Sequence, residues 1–178
     1  MKTKDIQKII KGCIDANTKA QHKLYELYAP KMMGLCFRYT KNQADAEDVF
    51  QEGFIKVFEK IHQLQNMEMV EWWIKKVFIN EALQLLKNRK KLNFADEYNY
   101  TNLTNRGAEE ILGKLGVEEI TKIIQELPSG MQMVVNLYII EGFPHKEIAK
   151  LLGISEGTSK SQLHDARKIL KQKLIQHY

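Results

Sequence analysis

Polar and basic side chains between residues 143 and 173 could hydrogen-bond to the edges of DNA bases and attract phosphates. This segment reads FPHKEIAKLLGISEGTSKSQLHDARKILKQK. An apolar stripe of Ile148, Ala149 and Leu152 predicts a short helix, and Gly153 follows where φ > 0 is common. Ser155 is a typical N-cap for a second helix. The spacing predicts a helix-turn-helix, whose second helix can enter a major groove. An ordinary helical hairpin is the alternative for this segment.

The second helix of this motif has an inward and an outward face. Ser159, Leu163, Ala166 and Leu170 recur at helical spacing and should face the rest of the domain. The residues that we expect at the DNA, here called the reading set, are Ser155, Gly157, Thr158, Lys160, Ser161, His164, Asp165 and Lys168.

A second group of polar residues lies in EWWIKKVFINEALQLLKNRKK, residues 71–91. Its members, here called the polar stripe, are Lys76, Asn80, Gln84 and Lys87. Their spacings of four, four and three place them on one side of a helix that ends in a basic cluster. Cations attract phosphates, and Asn and Gln can read base edges. Trp72 and Trp73 begin the same helix. One should be buried, and the other could stack on an unpaired base or brace the preceding loop.

A third group, here called the acidic face, consists of Asp48, Gln51 and Glu52 in DAEDVFQEGFIKVFEKI, residues 45–61. These residues share one exposed side, opposite an aromatic stripe. A solvated helix face is one interpretation, and a docking face for a basic partner is the other. A metal site is disfavoured, because no His or Cys accompanies the carboxylates and helical spacing splays them apart.

Composition limits the class of protein. The chain has 178 residues, only three prolines and ten glycines, and a formal charge of +5, which permits an anionic partner. Cys13 and Cys36 stand far apart without ligand spacing, so we expect reduced thiols. We also expect no metal and no cofactor, since no Cys/His ligand set is present. Membrane insertion is not expected either, because the sequence has no long apolar run and no signal-peptide core. A cytoplasmic location follows from these features.

Helical periodicity organises the chain into two all-α modules. We predict helices over about Thr18 to Tyr39 with a break or kink near Pro30, Gln43 to His62, Val70 to Lys90, and Met131 to Ile140. Residues 92–116 lack periodicity and read as a flexible linker. The predicted domains are therefore residues 1–91, a linker over 92–116, and a helix-turn-helix domain over 117–178.

Three blocks together resemble bacterial RNA polymerase sigma factors. They are DAEDVFQEGFIKVF, then WWIKKVFINEALQLLKNRKK, then LPSGMQMVVNLYIIEGFPHKEIAKLLGISEGTSKSQLHDARKIL. Their order and spacing cover nearly the whole chain except the linker. The short chain, with nothing but a linker between the modules, resembles the extracytoplasmic-function (ECF) subfamily.

This resemblance implies a role for each group. The acidic face would bind the clamp helices of the polymerase β′ subunit, and the β flap would be a second contact. The polar stripe and the loop of residues 63–69 would capture the promoter's minus-ten element as it melts. The helix from Glu156 onward would read the minus-thirty-five element. The linker would thread through the RNA channel, an anti-sigma factor is a plausible partner, and no catalytic activity is implied.

The chain departs from the family pattern at a few positions. Family members commonly have Val where Ser159 stands, so packing there should be looser or the hydroxyl should bond back to its own helix. Arginines are common at the positions of Gln162 and Asp165, and their loss should weaken phosphate attraction. Gln84 replaces a frequent Asp.

Other classes of protein remain open from the residues alone. A stand-alone helix-turn-helix regulator would bind symmetric half-sites without polymerase. A metal-dependent nuclease would need Asp45, Glu47, Asp48 and Glu52 to converge, with no nucleophile or phosphate loop to help. A pure protein-interaction module is a third alternative, which the basic second helix makes less natural.

Overall fold

The computed structural model describes residues 3–88 and 116–176, and within them all regular structure is helical. The chain divides into two compact units, Met1–Leu86 and Lys87–Tyr178. The predicted linker, apart from Gly116, lies outside the described residues, and so do Arg89, Lys90 and Lys91 of the basic cluster. The predicted domain limits and the linker's path therefore stay predictions.

The first unit is a set of helices in which α2 packs against both α1 and α3. The helices are α1 (Thr3–Ile14), α2 (Thr18–Tyr39), α3 (Gln43–Lys60) and α4 (Val70–Asn88). Short 3₁₀ turns at Ile61–Gln63 and Met67–Met69 lie between α3 and α4. Asparagine caps fix two of the starts: Asn17 Oδ1 accepts from the amide of Ala20 at 3.0 Å, and Asn42 Oδ1 from that of Asp45 at 2.9 Å.

Two predictions for these helices need correction. Of the break or kink predicted near Pro30, the break is absent, because α2 is one helix from Thr18 to Tyr39, and both of its ends match the prediction. Because Pro30 is exposed, water can solvate the carbonyl group that has lost its amide partner. Helix α3 ends at Lys60 rather than His62, since the last residues tighten into the 3₁₀ turn.

Aromatic rings fill the space between α3 and α4. Phe50 and Phe54 lie with ring centroids 6.2 and 5.2 Å from that of Phe78. Gly53 lies beneath the same ring, where an added Cβ would come within 2.5 Å of Phe78 Cε1. The predicted aromatic stripe of α3 is therefore the core of this unit. Its contact with α4 depends on the absence of a side chain at residue 53.

Both cysteines are buried free thiols of the first unit. Burial raises the pKa of Cys13 to about 11 and that of Cys36 to about 12. At neutral pH both are protonated, as expected of structural thiols.

The second unit is built around its last helix. It contains α5 (Val117–Gln125), α6 (Ser129–Val135), a π-helical turn (Asn136–Ile140), α7 (His145–Leu152) and α8 (Glu156–Gln176). Helix α8 packs against α5, α6 and α7. The helix predicted over Met131 to Ile140 begins earlier, at Ser129, and ends at Ile140 as predicted, but its last five residues widen into the π turn. There the amide of Glu141 donates to the carbonyl of Asn136 at 3.0 Å.

The turn between α7 and α8 confirms the predicted helix-turn-helix. Gly153 has φ 70° and ψ 35°, the left-handed conformation that glycine adopts without steric cost. Its amide donates to the carbonyl of Ala149 at 2.9 Å, which closes α7. Ser155 then starts α8, since its Oγ accepts from the amide of Thr158 at 2.9 Å.

None of the helices described here combines the length and apolarity needed to cross a lipid bilayer.

Gly53→Ala should destabilise the first unit by about 1–3 kcal/mol, because the new methyl group overpacks the buried ring of Phe78. Urea unfolding followed by tryptophan fluorescence measures this directly, since both tryptophans of the chain lie in that unit. The matched control is Gly34→Ala in α2, where an added Cβ meets nothing within 4 Å. That change should be neutral or stabilising by up to about 1 kcal/mol. Equal stability of the two variants would contradict the proposed packing.

Candidate functional site

The acidic face is exposed on α3. Asp48, Gln51 and Glu52 all reach solvent, while Val49 and Phe50 on the other side are buried. Ile55, one turn further on, is 50% exposed and continues the same side of the helix. Ile55 was not among the residues predicted for this face, although its spacing of seven from Asp48 was the available signal. The arrangement is a small acidic surface with an apolar end.

A lysine partly neutralises this face. Lys56 Nζ lies 3.2 Å from Glu52 Oε1 and 3.8 Å from Glu59 Oε2. Its hydrogen bond to Glu52, together with the charges of Glu52 and Glu59, raises the pKa of Lys56. Such exposed pairs are weak, so a basic partner surface can displace the lysine at small cost.

The four carboxylates of the nuclease alternative do not share a surface. Asp45 is only 6% exposed, whereas Glu47, Asp48 and Glu52 are exposed. In the described part of the chain, no group of three or more His, Cys, Asp or Glu side chains is arranged to hold a metal ion.

The polar stripe is exposed along α4, at Lys76, Asn80, Gln84 and Lys87. Trp72 lies one turn before Lys76 and is 43% exposed, while Trp73 is half-buried. The ammonium group of Lys76 is 4.9 Å from the centroid of the Trp72 ring, a cation–π contact. Trp72 is therefore the exposed tryptophan that the sequence left unassigned, and it extends the stripe by one turn.

The loop before α4 is short and ordered by its own hydrogen bonds. Asn66 Oδ1 accepts from the amide of Glu68 at 2.9 Å and starts the second 3₁₀ turn. Leu64 is buried and anchors the loop, whereas Met69 is 48% exposed. The loop thus places polar and apolar side chains at the start of the polar stripe.

Some members of the reading set serve the start of α8 itself. Besides capping the helix, Ser155 Oγ lies 2.8 Å from Thr158 Oγ1, so these two hydroxyls pair with each other. Ser161 Oγ donates to the carbonyl of Thr158 at 3.1 Å. Thr158 is half-buried, and its role is at least partly structural.

The other members form the outward side of α8. Gly157, Lys160, His164 and Lys168 are exposed, and Asp165 is half-exposed. Lys160 Nζ lies 2.8 Å from Glu156 Oε1, and this cation lowers the pKa of Glu156. The outward side therefore carries the cations Lys160 and Lys168 together with two carboxylates, Glu156 at its start and the half-exposed Asp165.

Gln162 does not belong to this outward side. It is 5% exposed, and an added Cβ on Gly130 of α6 would lie 2.8 Å from its Nε2 atom. The side chain of Gln162 packs inside the unit and does not face outward. The prediction that Gln162, in place of an arginine, weakens the attraction to phosphates is therefore wrong.

Ser159 is fully buried, and its hydroxyl does not bond back to α8 as expected. Its Oγ lies 2.8 Å from Nδ1 of His145, the first residue of α7. The Tyr138 ring stacks on the imidazole, with centroids 4.4 Å apart and an interplanar angle of 21°. Burial lowers the pKa of His145 below its usual 6.5, helped by Lys160 and Arg167 and opposed by Glu156, so the ring is neutral at pH 7.

An open apolar groove of about 350 Å³ runs between α5, the π turn and α8. Its walls include Ile123, Ile124, Ile139, Ile140, Leu170 and Leu174, with Arg167 and Lys171 among its lining residues. Ile139 and Ile140 are 51% and 41% exposed, so the groove is open to a partner. No pattern in the sequence distinguished these isoleucines from core residues.

Comparison with known proteins assigns both units. The Sigma-70 region 2 family model matches residues 24–92, and the Sigma-70, region 4 model matches residues 117–170. The ECF RNA polymerase sigma factor SigE of Mycolicibacterium smegmatis is 29% identical over 160 residues, which are 87% of this chain and 62% of SigE. RNA polymerase sigma factor SigV of Bacillus subtilis is 29% identical over 140 residues, covering 79% of this chain and 82% of SigV.

The fold agrees with these matches. The structure of the sigma factor RpoE in complex with the anti-sigma factor NepR, from Bartonella quintana, superposes with a TM-score of 0.56 at 20% identity. The alignment covers 87% of this chain and 96% of RpoE.

A stand-alone helix-turn-helix regulator is not favoured, because region 2 precedes region 4 as it does in sigma factors. Proteins of this family are transcription initiation factors that bind DNA. The chain belongs to the sigma-70 family and is an RNA polymerase sigma factor of the ECF subfamily.

Proposed function

We propose that this sigma factor recognises two promoter elements while bound to core RNA polymerase, has no catalytic activity of its own, and acts in the cytoplasm. The observation that carries the proposal is that each unit by itself presents an exposed polar and basic helix side, on α4 and on α8. Two DNA contacts held on one chain reinforce each other, because the second forms at a high effective concentration.

The acidic face is the proposed contact with the β′ clamp helices. Asp48, Gln51 and Glu52 are exposed and rigidly held, since the other side of α3 packs on Phe78. Ile55 adds an apolar contact at the end of this face, where half of its surface is open to solvent. Charge complementarity would direct a basic partner to this helix, and the burial of Ile55 would strengthen the complex.

The polar stripe with Trp72 and the loop of residues 63–69 is the proposed minus-ten site. The exposed indole offers a flat surface on which an unpaired base can stack. Lys76 beside it can neutralise a phosphate, and Asn80 can hydrogen-bond to a base edge. Holding an unstacked base offsets part of the stacking energy that the duplex loses on melting.

The outward side of α8 is the proposed minus-thirty-five site. Lys160, His164 and Lys168 are exposed on it, whereas Ser155 and Thr158 position the first turn. Long cationic side chains favour phosphates and guanine edges in the major groove.

The apolar groove is the proposed contact with the β flap. It lies within the second unit, and its two cations, Arg167 and Lys171, favour an apolar segment with acidic neighbours. We also propose that an anti-sigma factor regulates the chain. Support for this proposal comes from the family resemblance and from the similar fold of RpoE, which was solved with its anti-sigma factor NepR.

Glu52→Lys should abolish association with core polymerase, because it reverses a charge at the centre of the acidic face. Pull-down of core enzyme measures the effect, and unchanged circular dichroism would show that the fold is intact. The matched control is Glu26→Lys on α2. Glu26 is also exposed and paired with a residue four positions away, His22, at 3.3 Å. Retention of core enzyme at wild-type levels by Glu52→Lys would contradict the docking assignment.

Trp72→Ala should slow promoter opening, since a base stacked on an aromatic ring is worth about 1–3 kcal/mol. Permanganate reactivity of unpaired thymines in the minus-ten element reports the opened strand. Trp72→Phe keeps an aromatic ring and should slow promoter opening less than Trp72→Ala does. Opening at the wild-type rate by the alanine variant would rule out Trp72 as the stacking platform.

Replacing Lys160, Ser161 and His164 with alanine should change sequence preference within the minus-thirty-five element only. Transcription from a promoter library randomised in both elements resolves this effect. The control is Lys146→Ala, which removes an exposed cation of α7 outside the reading set. An unchanged preference upstream, or an altered one in the minus-ten element, would show that α8 is misassigned.

A further inference from the structure

Ser159 is a buried hydroxyl on the inward side of α8, where Leu163 and Ala166 are apolar and Gln162 is the other buried polar side chain. Ser159 is 0% exposed, as is Ala166, and Leu163 is 4% exposed. A hydroxyl buried in such surroundings is costly unless it is hydrogen-bonded. His145 Nδ1, at 2.8 Å, provides the partner. This bond joins the first residue of α7 to the second turn of α8, and so ties together the two helices of the helix-turn-helix.

The imidazole is itself held from another side. Tyr138 of the π turn stacks on it nearly parallel, with centroids 4.4 Å apart. Three elements therefore meet at His145: the π turn, α7 and α8. A ring held in this way presents Nδ1 in a fixed direction and can select one position of Ser159.

Ser159 lies between members of the reading set. It follows Thr158 and precedes Lys160 and Ser161. At a rise of about 1.5 Å per residue, these residues lie within about 3 Å of Ser159 along the helix axis. A rotation or shift of α8 at Ser159 would therefore move the side chains that face the DNA.

We infer that His145 and Ser159 are positioning residues for promoter recognition: their hydrogen bond sets the placement of α8 against α7, and with it the reach of Lys160, Ser161 and His164 into the minus-thirty-five element. Neither residue needs to contact DNA. The inference rests on the proposed role of α8.

The test uses the whole chain with core polymerase and two promoters that differ only in an intact or a scrambled minus-thirty-five element. The measured quantity is the ratio of initiation rates on these promoters. His145→Phe keeps a ring to stack on Tyr138 but leaves Ser159 without its partner. Ser159→Ala leaves Nδ1 of His145 without one. Each change should lower the ratio about five- to tenfold, the order expected when one partner of a buried hydrogen bond is removed.

Two further variants separate the hydrogen bond from general damage to the domain. The double variant His145→Phe/Ser159→Ala leaves neither group unpaired and should recover the ratio to within about twofold of wild type. His145→Asn places an amide near the position of Nδ1 and should retain more of the ratio than His145→Phe. The matched control is His22→Phe, which removes an exposed imidazole from α2 and should have no effect. Initiation on the scrambled promoter should stay constant throughout.

Three results would overturn the inference. The first is a wild-type ratio of initiation rates in either single variant. The second is a double variant in which the fall in the ratio equals the product of the two single falls. The third is a His145→Asn variant whose ratio is no higher than that of His145→Phe. A wild-type chain that initiates equally on both promoters would instead remove the proposed role of α8, and this inference with it.

Discussion

A glycine pressed against a buried side chain fixes the packing of helices in each unit. In the first unit Gly53 of α3 lies under the ring of Phe78, and in the second Gly130 of α6 lies against the amide of Gln162. A side chain at either glycine would force its neighbour to move, so the facing helices meet in one arrangement. The outward sides of α3, α4 and α8 are oriented by these inward contacts. The acidic face, the polar stripe and the outward side of α8 are therefore held in place by contacts inside the units, away from the proposed partners.

Local signals made much of the fold predictable. A helix cap or a left-handed glycine is determined by residues within one turn. Such local signals account for the ends of α2 and for the turn at Gly153 before α8. Exposure of the acidic face and the polar stripe follows from helical spacing alone. The functional roles of these side chains stay predictions.

Features set by distant neighbours were not predictable. Gln162 looks like an ordinary polar residue of a surface helix, yet it is buried against Gly130 of another helix. The inward position of Ser159 was predicted from helical spacing, but its hydrogen-bond partner, His145, lies on another helix. Trp72 and Trp73 have the same side chain at adjacent positions, and only the packing of α4 decides which one is exposed. In the π turn an amide donates to the carbonyl five residues earlier, one residue further than in an α-helix. The residues NLYII carry no known sequence signal for this bond.

The two thiols of the first unit bear on how the protein responds to peroxide. Oxidants react with the thiolate, and a pKa of about 11 or 12 leaves roughly one thiol in ten thousand or fewer ionised at pH 7. Cys13 and Cys36 are the only sulfhydryl groups in the sequence. While the first unit stays folded, burial therefore protects both cysteines from oxidants at neutral pH. Their reactivity should rise only when local unfolding exposes them to solvent.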